Sequence, residues 1–352
     1  MKQNSQKILW DIFIHRNVKA SEVFLRLDDL FSSERTFQRD LKALVEEGFL
    51  FIEGGGRSTS YSLSENGLRN LPVDMKTYFE KDITERNWAE ESFLITRLTQ
   101  IPTSLFSTEE LEKLNTLTGV YEKRSKEYTE TLHQKELERF VIELSWKSAK
   151  IEGNTYTLLD TEQLIKYGVK SDKNTENEAQ MILNHKVAFD AIFKNKKKFA
   201  PGVVTSQLFQ EIHKLIVADL GIATGIRKSP VGISGSVYKP AEFESQIHEG
   251  LKVLLEKITE ITDVYSVALL VLLGISYIQA FEDGNKRTAR MLANAFLLQE
   301  QKAMLSYRTV NEQDYKERML VFYEVGSLAP MKELFLEQYE YAAQNYARKL
   351  DL

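Results

Sequence analysis

The run Gln279-Ala280-Phe281-Glu282-Asp283-Gly284-Asn285-Lys286-Arg287-Thr288-Ala289-Arg290 holds the strongest chemical signal in the sequence. An apolar helix ends near Phe281, and Asp283-Gly284-Asn285 is turn chemistry, with glycine free to take positive φ. A second apolar helix starts behind the turn and carries Met291, Leu292, Phe296 and Leu297. A glycine turn feeding a helix N-terminus points several backbone N–H groups at one spot and adds the positive end of the helix dipole. Arg287 and Arg290, three apart in the first turns, lie near that spot. Cations there oppose the dipole and need a counter-charge, which a bound polyphosphate supplies. Asp283 at the rim suits Mg²⁺, one carboxylate sufficing when phosphate and water supply the remaining oxygens. An ordinary interhelical turn with two solvated arginines is the blander account. The density of groups and two companion motifs favour the anion site.

The elements that must hold this turn are helical. The chain has 352 residues with 43% apolar and 28% charged residues, a globular composition long enough for about two domains. Six prolines and 17 glycines suit a mostly helical chain. Lys and Arg number 46 against 51 Asp and Glu, a net charge of −5, which excludes a wholesale polybasic binder but leaves room for a local basic face. The absence of cysteine excludes disulfides, thiolate metal sites and cysteine nucleophiles. The N-terminus lacks an apolar signal region. The most apolar stretch, Val264 to Phe281, is interrupted by Ser266, Gly274, Ser276 and Gln279 and reads as a central helix, short of a bilayer span. A cytoplasmic protein with no membrane partner is expected. The two central helices are predicted over about 264–280 and 286–300, and a C-terminal helix from about Met331 packs through Leu334, Phe335 and Tyr339.

Residues 1–66 read as a separate unit. Ile8, Leu9, Ile12 and Phe13 mark a first amphipathic helix; Ser21 is read as the cap of a second, with Val23, Phe24 and Leu27 inward. Ser33 caps a third, whose Phe37, Leu41, Leu44 and Val45 form a core stripe, and Gly48 ends it. Arg35, Arg39 and Lys42 share a different face. The runs Phe49–Glu53 and Ser58–Ser64 make a hairpin with Arg57 at its tip. Three helices and a hairpin resemble a winged helix-turn-helix, and Ser33 to Leu41 resembles the recognition helix of DeoR-type repressors. That resemblance implies duplex DNA as a partner, with Arg35, Thr36, Gln38, Arg39 and Lys42 near bases or phosphates and Arg57 on the wing. Nine Lys/Arg against ten Asp/Glu in this unit leave a protein-docking role open. Residues 67–139 read as charged linker helices, restarted at Ser107 by a capping signature with Leu111, Leu114 and Leu117 inward.

The run at 279–290 resembles the signature of the Fic (filamentation-induced-by-cAMP) family, His-Pro-Phe-x-Asp/Glu-Gly-Asn-x-Arg-x-x-Arg, with Phe281, Asp283, Gly284, Asn285, Arg287 and Arg290 matching. Ser148-Ala149-Lys150-Ile151-Glu152-Gly153 matches the family's inhibitory motif, Ser/Thr-x-x-x-Glu-Gly/Asn. Gly225-Ile226-Arg227 followed by Val231-Gly232-Ile233-Ser234-Gly235 looks like the family's flap, a β-hairpin covering the nucleotide. The resemblance spans residues 140–340, with the inhibitory helix around 141–152 and a helix end at 341–352. It implies a mainly α Fic domain with a β-hairpin flap, ATP or ADP with Mg²⁺ as cofactors, and AMP transfer to a hydroxyl of a target protein. It further implies nucleotide contacts from Gly284, Asn285, Lys286, Arg287, Arg290 and Asn294, the last toward adenine. Ser148 and Glu152, i and i+4 on one helix face, can project a carboxylate from a fixed position. The resemblance implies that Glu152 pairs with Arg290 and occupies the γ-phosphate site.

One departure matters. Gln279 stands where the family has its general-base histidine, and a carboxamide is essentially non-basic at neutral pH. Losing a positioned base costs roughly 10²–10⁴ in rate, while phosphate positioning survives because its donors lie elsewhere. Lys286 is a second departure, shared with the phosphate-transferring death-on-curing branch, which has Ala where this chain has Gly284. This leaves open whether AMP or phosphate is donated, and a solvated helix residue is the other reading of Lys286. The expectation is an autoinhibited adenylyltransferase of weak or altered activity. The alternative is a pseudoenzyme in which ATP or ADP biases a DNA-binding winged helix; hydrolysis through Gln279 is a lesser option. None of the five histidines lies in the signature, and His213 reads as a packing or solvated residue. The oligomeric state is left open, a homodimer among its options.

Overall fold

The computed structural model describes residues 2–347, apart from the side chain of Arg57. The chain folds into two compact units. One gathers the chain through Glu91 with Ile233–Tyr238 and Glu317–Met331; the other gathers Ser92–Gly232, Lys239–Lys316 and the chain from Lys332.

In the first unit, α1 (Gln3–His15), α2 (Ala20–Leu27) and α3 (Glu34–Glu46) precede an antiparallel hairpin of β1 (Leu50–Glu53) and β2 (Ser60–Leu63), paired from Leu50↔Leu63 to Glu53↔Ser60. The spacing that predicts α1 and α3 also builds their core: Ile8, Leu9, Ile12, Phe37, Leu41 and Leu44 are buried together. Ser33 caps α3 by accepting from the Thr36 N–H at 3.3 Å, and Gly48 follows its end at φ +74°. The second helix departs from expectation. It starts at Ala20 after Lys19, whose backbone N–H donates to Glu22, so Ser21 lies inside α2 rather than capping it. Val18 pairs with Tyr61, adding a bridge to the outer strand of the hairpin. The short helices α4 (Glu65–Arg69) and α5 (Met75–Phe79) follow, and Leu71, Tyr78, Val321 and Val325 join the same core.

The segment 231–239 is not the β-hairpin expected from the sequence. It contains a turn at Ser234–Gly235, forms no strand, and its Lys239 makes an isolated parallel bridge with Ser92. Within the first unit, Ile233–Tyr238 is held by polar side chains instead: Arg86 donates to the Gly235 carbonyl at 3.0 Å, and Ser236 donates to the fully buried carboxylate of Glu324 at 2.7 Å. Tyr78 donates to that carboxylate as well, at 2.7 Å. Backbone groups satisfied by side chains need no partner strand.

The second unit begins with α6 (Thr96–Thr99) and α7 (Thr108–Glu127), whose Ser107–Glu110 capping box forms as read from the sequence. Next come α8 (Glu130–Ile151), α9 (Leu158–Tyr167), α10 (Glu176–Lys194), α11 (Ser206–Ile216) and α12 (Glu244–Glu260). The two central helices are α13 (Val264–Ile278) and α14 (Asn285–Gln299), each ending or starting within two residues of expectation. α13 is buried on every side from Tyr265 to Ile278, which explains its unbroken apolar sequence. Gly274 lets α12 approach: a Cβ there would meet Leu254 Cδ1 at 2.7 Å. α15 (Glu312–Val325) and α16 (Ala329–Asn345) complete the chain, with Leu334, Phe335 and Tyr339 buried as expected. The helix end expected over 341–352 stops at Asn345; residues 348–352 lie outside the described residues. Among the described residues, no helix is long and apolar enough to cross a membrane.

Candidate functional site

The turn between α13 and α14 is built by its own polar atoms. α13 ends with Gln279 in left-handed backbone, φ 51° and ψ 56°. Gly284, the N-cap of α14, sits at φ +80°, and a Cβ there would stand 2.9 Å from Val217 Cγ1. Only glycine suits both constraints. Asn285 donates to the Phe281 carbonyl at 2.8 Å and accepts from the Phe281 N–H at 3.0 Å. Both of its polar groups therefore help to shape the loop. His213, on α11, stacks on Phe281 with ring centroids 3.8 Å apart and contacts the Asp283 carbonyl through Nε2 at 2.9 Å. It is fully buried and packs, one of the two roles read for it. Burial pushes its pKa down. Arg227 braces the other side: its Nε donates to the Gln279 carbonyl at 2.6 Å, and its backbone N–H to the Ala280 carbonyl at 3.0 Å.

The first turn of α14 gathers charge. Arg287 is 2% exposed and donates to Asp283 at 2.9 Å; its Nη1 is buried with no hydrogen-bond partner. Burial lowers the Arg287 pKa, the pull of Asp283 and Glu152 opposing this. Arg290 is wholly buried and donates Nη2 to Glu152 Oε1 at 2.8 Å. The same guanidinium meets Ser148 twice, through Nε to Oγ and Nη2 to the carbonyl, both at 2.9 Å. It also lies over the Tyr315 ring at 5.3 Å. Lys286 reaches the second carboxylate oxygen of Glu152 at 3.4 Å. Burial alone would raise the Glu152 carboxyl; Arg290 first, with Lys286 and Arg287, overrides it and holds the pKa at about 2. Three cations thus meet two carboxylates at a helix N-terminus, an excess of positive charge suited to an anion.

The contact between Glu152 and Arg290 that the resemblance implies is formed. Ser148 sits in the last turn of α8, which ends at Ile151; Glu152 is the C-cap that follows, and Gly153 reverses the chain at φ +99°. Asn294 is buried, and its amide pins Leu305 by donating to the carbonyl at 2.9 Å and accepting from the N–H at 2.7 Å. Gln279 donates its amide to the Ser276 carbonyl at 2.7 Å, folding back onto α13. Val231 and Ile233 are half-buried, while Gly232, Ser234 and Gly235 are exposed. Among the described residues, no group of three or more His, Asp or Glu could hold a metal unaided. Asp283 is two-thirds exposed, though Arg287 binds one of its oxygens. A divalent ion there would draw most of its ligands from phosphate and water.

On α3, Arg35, Gln38, Arg39 and Lys42 are exposed and Thr36 is half-buried. Arg39 pairs with Asp40 at 3.2 Å and Lys42 with Glu46 at 3.4 Å, which narrows the basic face. The Arg57 side chain lies outside the described residues. The sequence reading missed His185 on α10, which is fully buried and bonded to Ser148 at 2.8 Å. Its signal was the spacing Ile182, His185, Phe189, which puts an imidazole on the core face of a helix.

The Fic/DOC family model matches residues 203–297, from just before α11 to near the end of α14. Among solved structures, the chain resembles a Fic domain containing signaling protein from Bacteroides thetaiotaomicron, with 19% identity and TM-score 0.55 over 66% of this chain and 94% of that one. A Fic family protein from Desulfovibrio desulfuricans gives 20% identity and TM-score 0.57 over 69% and 75%. A segment of Fic-1 from C. elegans gives 19% identity and TM-score 0.55 over 68% and 71%. At such identities the likeness is one of fold. No curated protein matches the chain. Family model and neighbours agree with the signature turn, and the chain carries a Fic/DOC domain on a mainly helical Fic fold.

Proposed function

We propose that the chain is an ATP-binding protein built as an autoinhibited protein adenylyltransferase, with Glu152 as the inhibitor. The observation that carries this reading is the buried cluster in which Arg290 is paired to Glu152 while Nη1 of neighbouring Arg287 has no partner. A buried guanidinium nitrogen left without an acceptor is costly, and a polyphosphate at the α14 N-terminus supplies one. In this reading Gly284 and the first backbone N–H groups of α14, with Lys286 and Arg287, hold phosphate oxygens. Glu152 occupies the place of the γ-phosphate on Arg290. Asp283 would hold Mg²⁺, which neutralises phosphate charge when bound. The segment Val231–Gly235 serves as the flap that positions a target-protein hydroxyl.

Gln279 cannot accept the hydroxyl proton, since its carboxamide is non-basic and its nitrogen is committed to Ser276. Activity is therefore weak while phosphate binding is kept. Calorimetry with ATP and ADP in Mg²⁺ tests the site. The parent chain should bind the two nucleotides about equally, because Glu152 denies Arg290 to the γ-phosphate. Glu152→Gly should raise the ATP-to-ADP affinity ratio about tenfold, the worth of one charge-assisted hydrogen bond. Binding of neither nucleotide, with or without Glu152, would end this reading.

A second reading is favoured by the exposed polar face of α3, opposite its buried Phe37, Leu41 and Leu44 and followed by the hairpin. Here residues 1–66 form a winged helix that binds duplex DNA through Arg35, Thr36, Gln38, Arg39, Lys42 and Arg57, with nucleotide as effector, in the cytoplasm. Gel-shift assays over a salt series decide it: DNA affinity should fall steeply with salt and change when ATP is added. Salt-insensitive or absent binding rules it out.

A further inference from the structure

We infer that His185 is a positioning residue of the Glu152 latch: through the Ser148 hydroxyl it holds the Arg290 guanidinium in the orientation that meets Glu152. The inference rests on the reading of Glu152 as inhibitor and adds a residue outside every motif singled out in the sequence.

The hydrogen-bond roles follow from the partners. His185 Nδ1 lies 2.7 Å from the Met181 carbonyl, which can only accept, so Nδ1 carries the ring proton. Nε2 is then an acceptor, and the only hydrogen it can receive across 2.8 Å is that of the Ser148 hydroxyl. With its proton committed to His185, Ser148 Oγ turns its lone pairs to Arg290 Nε at 2.9 Å. The chain runs in one direction, from Arg290 to Ser148 to His185 to Met181. Because Nε and Nη2 are rigidly coplanar, fixing Nε on Ser148 aims Nη2 at Glu152, where the contact is 2.8 Å. The relay needs a neutral imidazole. Burial first, with the cations Arg287 and Arg290, pushes its pKa down to about 3. His185 and Ser148 are both inaccessible to solvent, so no water substitutes for the lost acceptor.

The test uses the full chain, with ATP, ADP and Mg²⁺ as probes and the ATP-to-ADP affinity ratio from calorimetry as readout. His185→Leu removes the acceptor and should raise the ratio several-fold, up to about the tenfold expected for one hydrogen bond to a charged group. His185→Gln, whose carboxamide can accept from Ser148 and donate to Met181, should stay close to the parent ratio. In a Glu152→Gly background, His185→Leu should add nothing, because there is no latch left to aim. Ser148→Ala, which only removes a hydroxyl, should match His185→Leu and decides the matter should the leucine variant not fold. An unchanged ratio in His185→Leu or Ser148→Ala, alongside a raised ratio in Glu152→Gly, overturns the inference and leaves the inhibitory reading standing. An equal gain from His185→Leu with Glu152 absent also overturns it. No gain from Glu152→Gly overturns both.

Discussion

Adding Gln279→His to a Glu152→Gly chain is expected to raise AMP transfer to protein by roughly 10²–10⁴, the contribution of a positioned general base. In the proposed reading, two obstacles act at different atoms. Glu152 holds Arg290 at 2.8 Å and keeps it from the γ-phosphate, which concerns how ATP lies. Gln279 concerns only the proton of the attacking hydroxyl. Each single variant should therefore remain slow: Glu152→Gly because nothing takes the proton, Gln279→His because the phosphates are misplaced. Their effects should be strongly non-additive, as for groups that act in one step. Gln279 lies in left-handed backbone, and its carbonyl is pinned by Arg227 at 2.6 Å. A histidine there inherits a fixed backbone direction, the kind of preorganisation a base requires. The measurement is transfer of label from α-labelled ATP to protein in the four variants. Ready labelling by the parent chain would show that Gln279 does not limit the reaction. A silent double variant would show that the nucleotide site, rather than the missing base, is at fault.

Glu152→Gln should destabilise the chain by roughly 3 kcal/mol at pH 7, the cost of breaking a buried ion pair. Arg290 would keep its two contacts to Ser148 but lose its counter-charge, with Lys286 and Arg287 close by. The dependence on pH carries the sign. The folded pKa of Glu152, about 2, lies below its ordinary value of 4.5. A depressed acid contributes stability that is complete above the unfolded pKa and is lost as pH falls through the folded one. The gap between parent and variant should therefore be full above about pH 5 and shrink between 4.5 and 2. Urea denaturation of both proteins across that range measures it. A gap independent of pH would mean that Glu152 acts by packing alone. ATP should recover more stability in the variant than in the parent, since ligand binding to the native state adds stability in proportion to affinity.

Much of this was legible in the sequence because it is local. Apolar spacing marks α1, α3, α13 and α14, whose cores are one face or, for α13, the whole surface of a helix. Ser33, Ser107 and Gly284 act within four residues of themselves, so capping and turn chemistry could be read directly. Ser21 misled because a Ser inside a helix looks like a Ser in front of one; Glu22 bonding back to Lys19 decided the start. The expected flap hairpin failed for a different reason: Ile233–Tyr238 is held by Arg86 on the Gly235 carbonyl and by Glu324 on the Ser236 hydroxyl, residues far away in sequence.

The sequence by itself determined which residues form the signature turn, where its helices begin and end, and that Gln279 stands where the resembled signature has histidine. Tertiary structure alone decided how the charges are shared. Glu152 and Lys286 meet across 134 positions, Arg290 and Ser148 across 142, and Ser148 and His185 across 37. Helix periodicity says which side of a helix a residue occupies, but not which other helix comes to face it. The same limit hid the loop-shaping use of Asn285 and Asn294, since an amide carries equal capacity to bind a ligand or a neighbouring backbone, and only packing chooses between them.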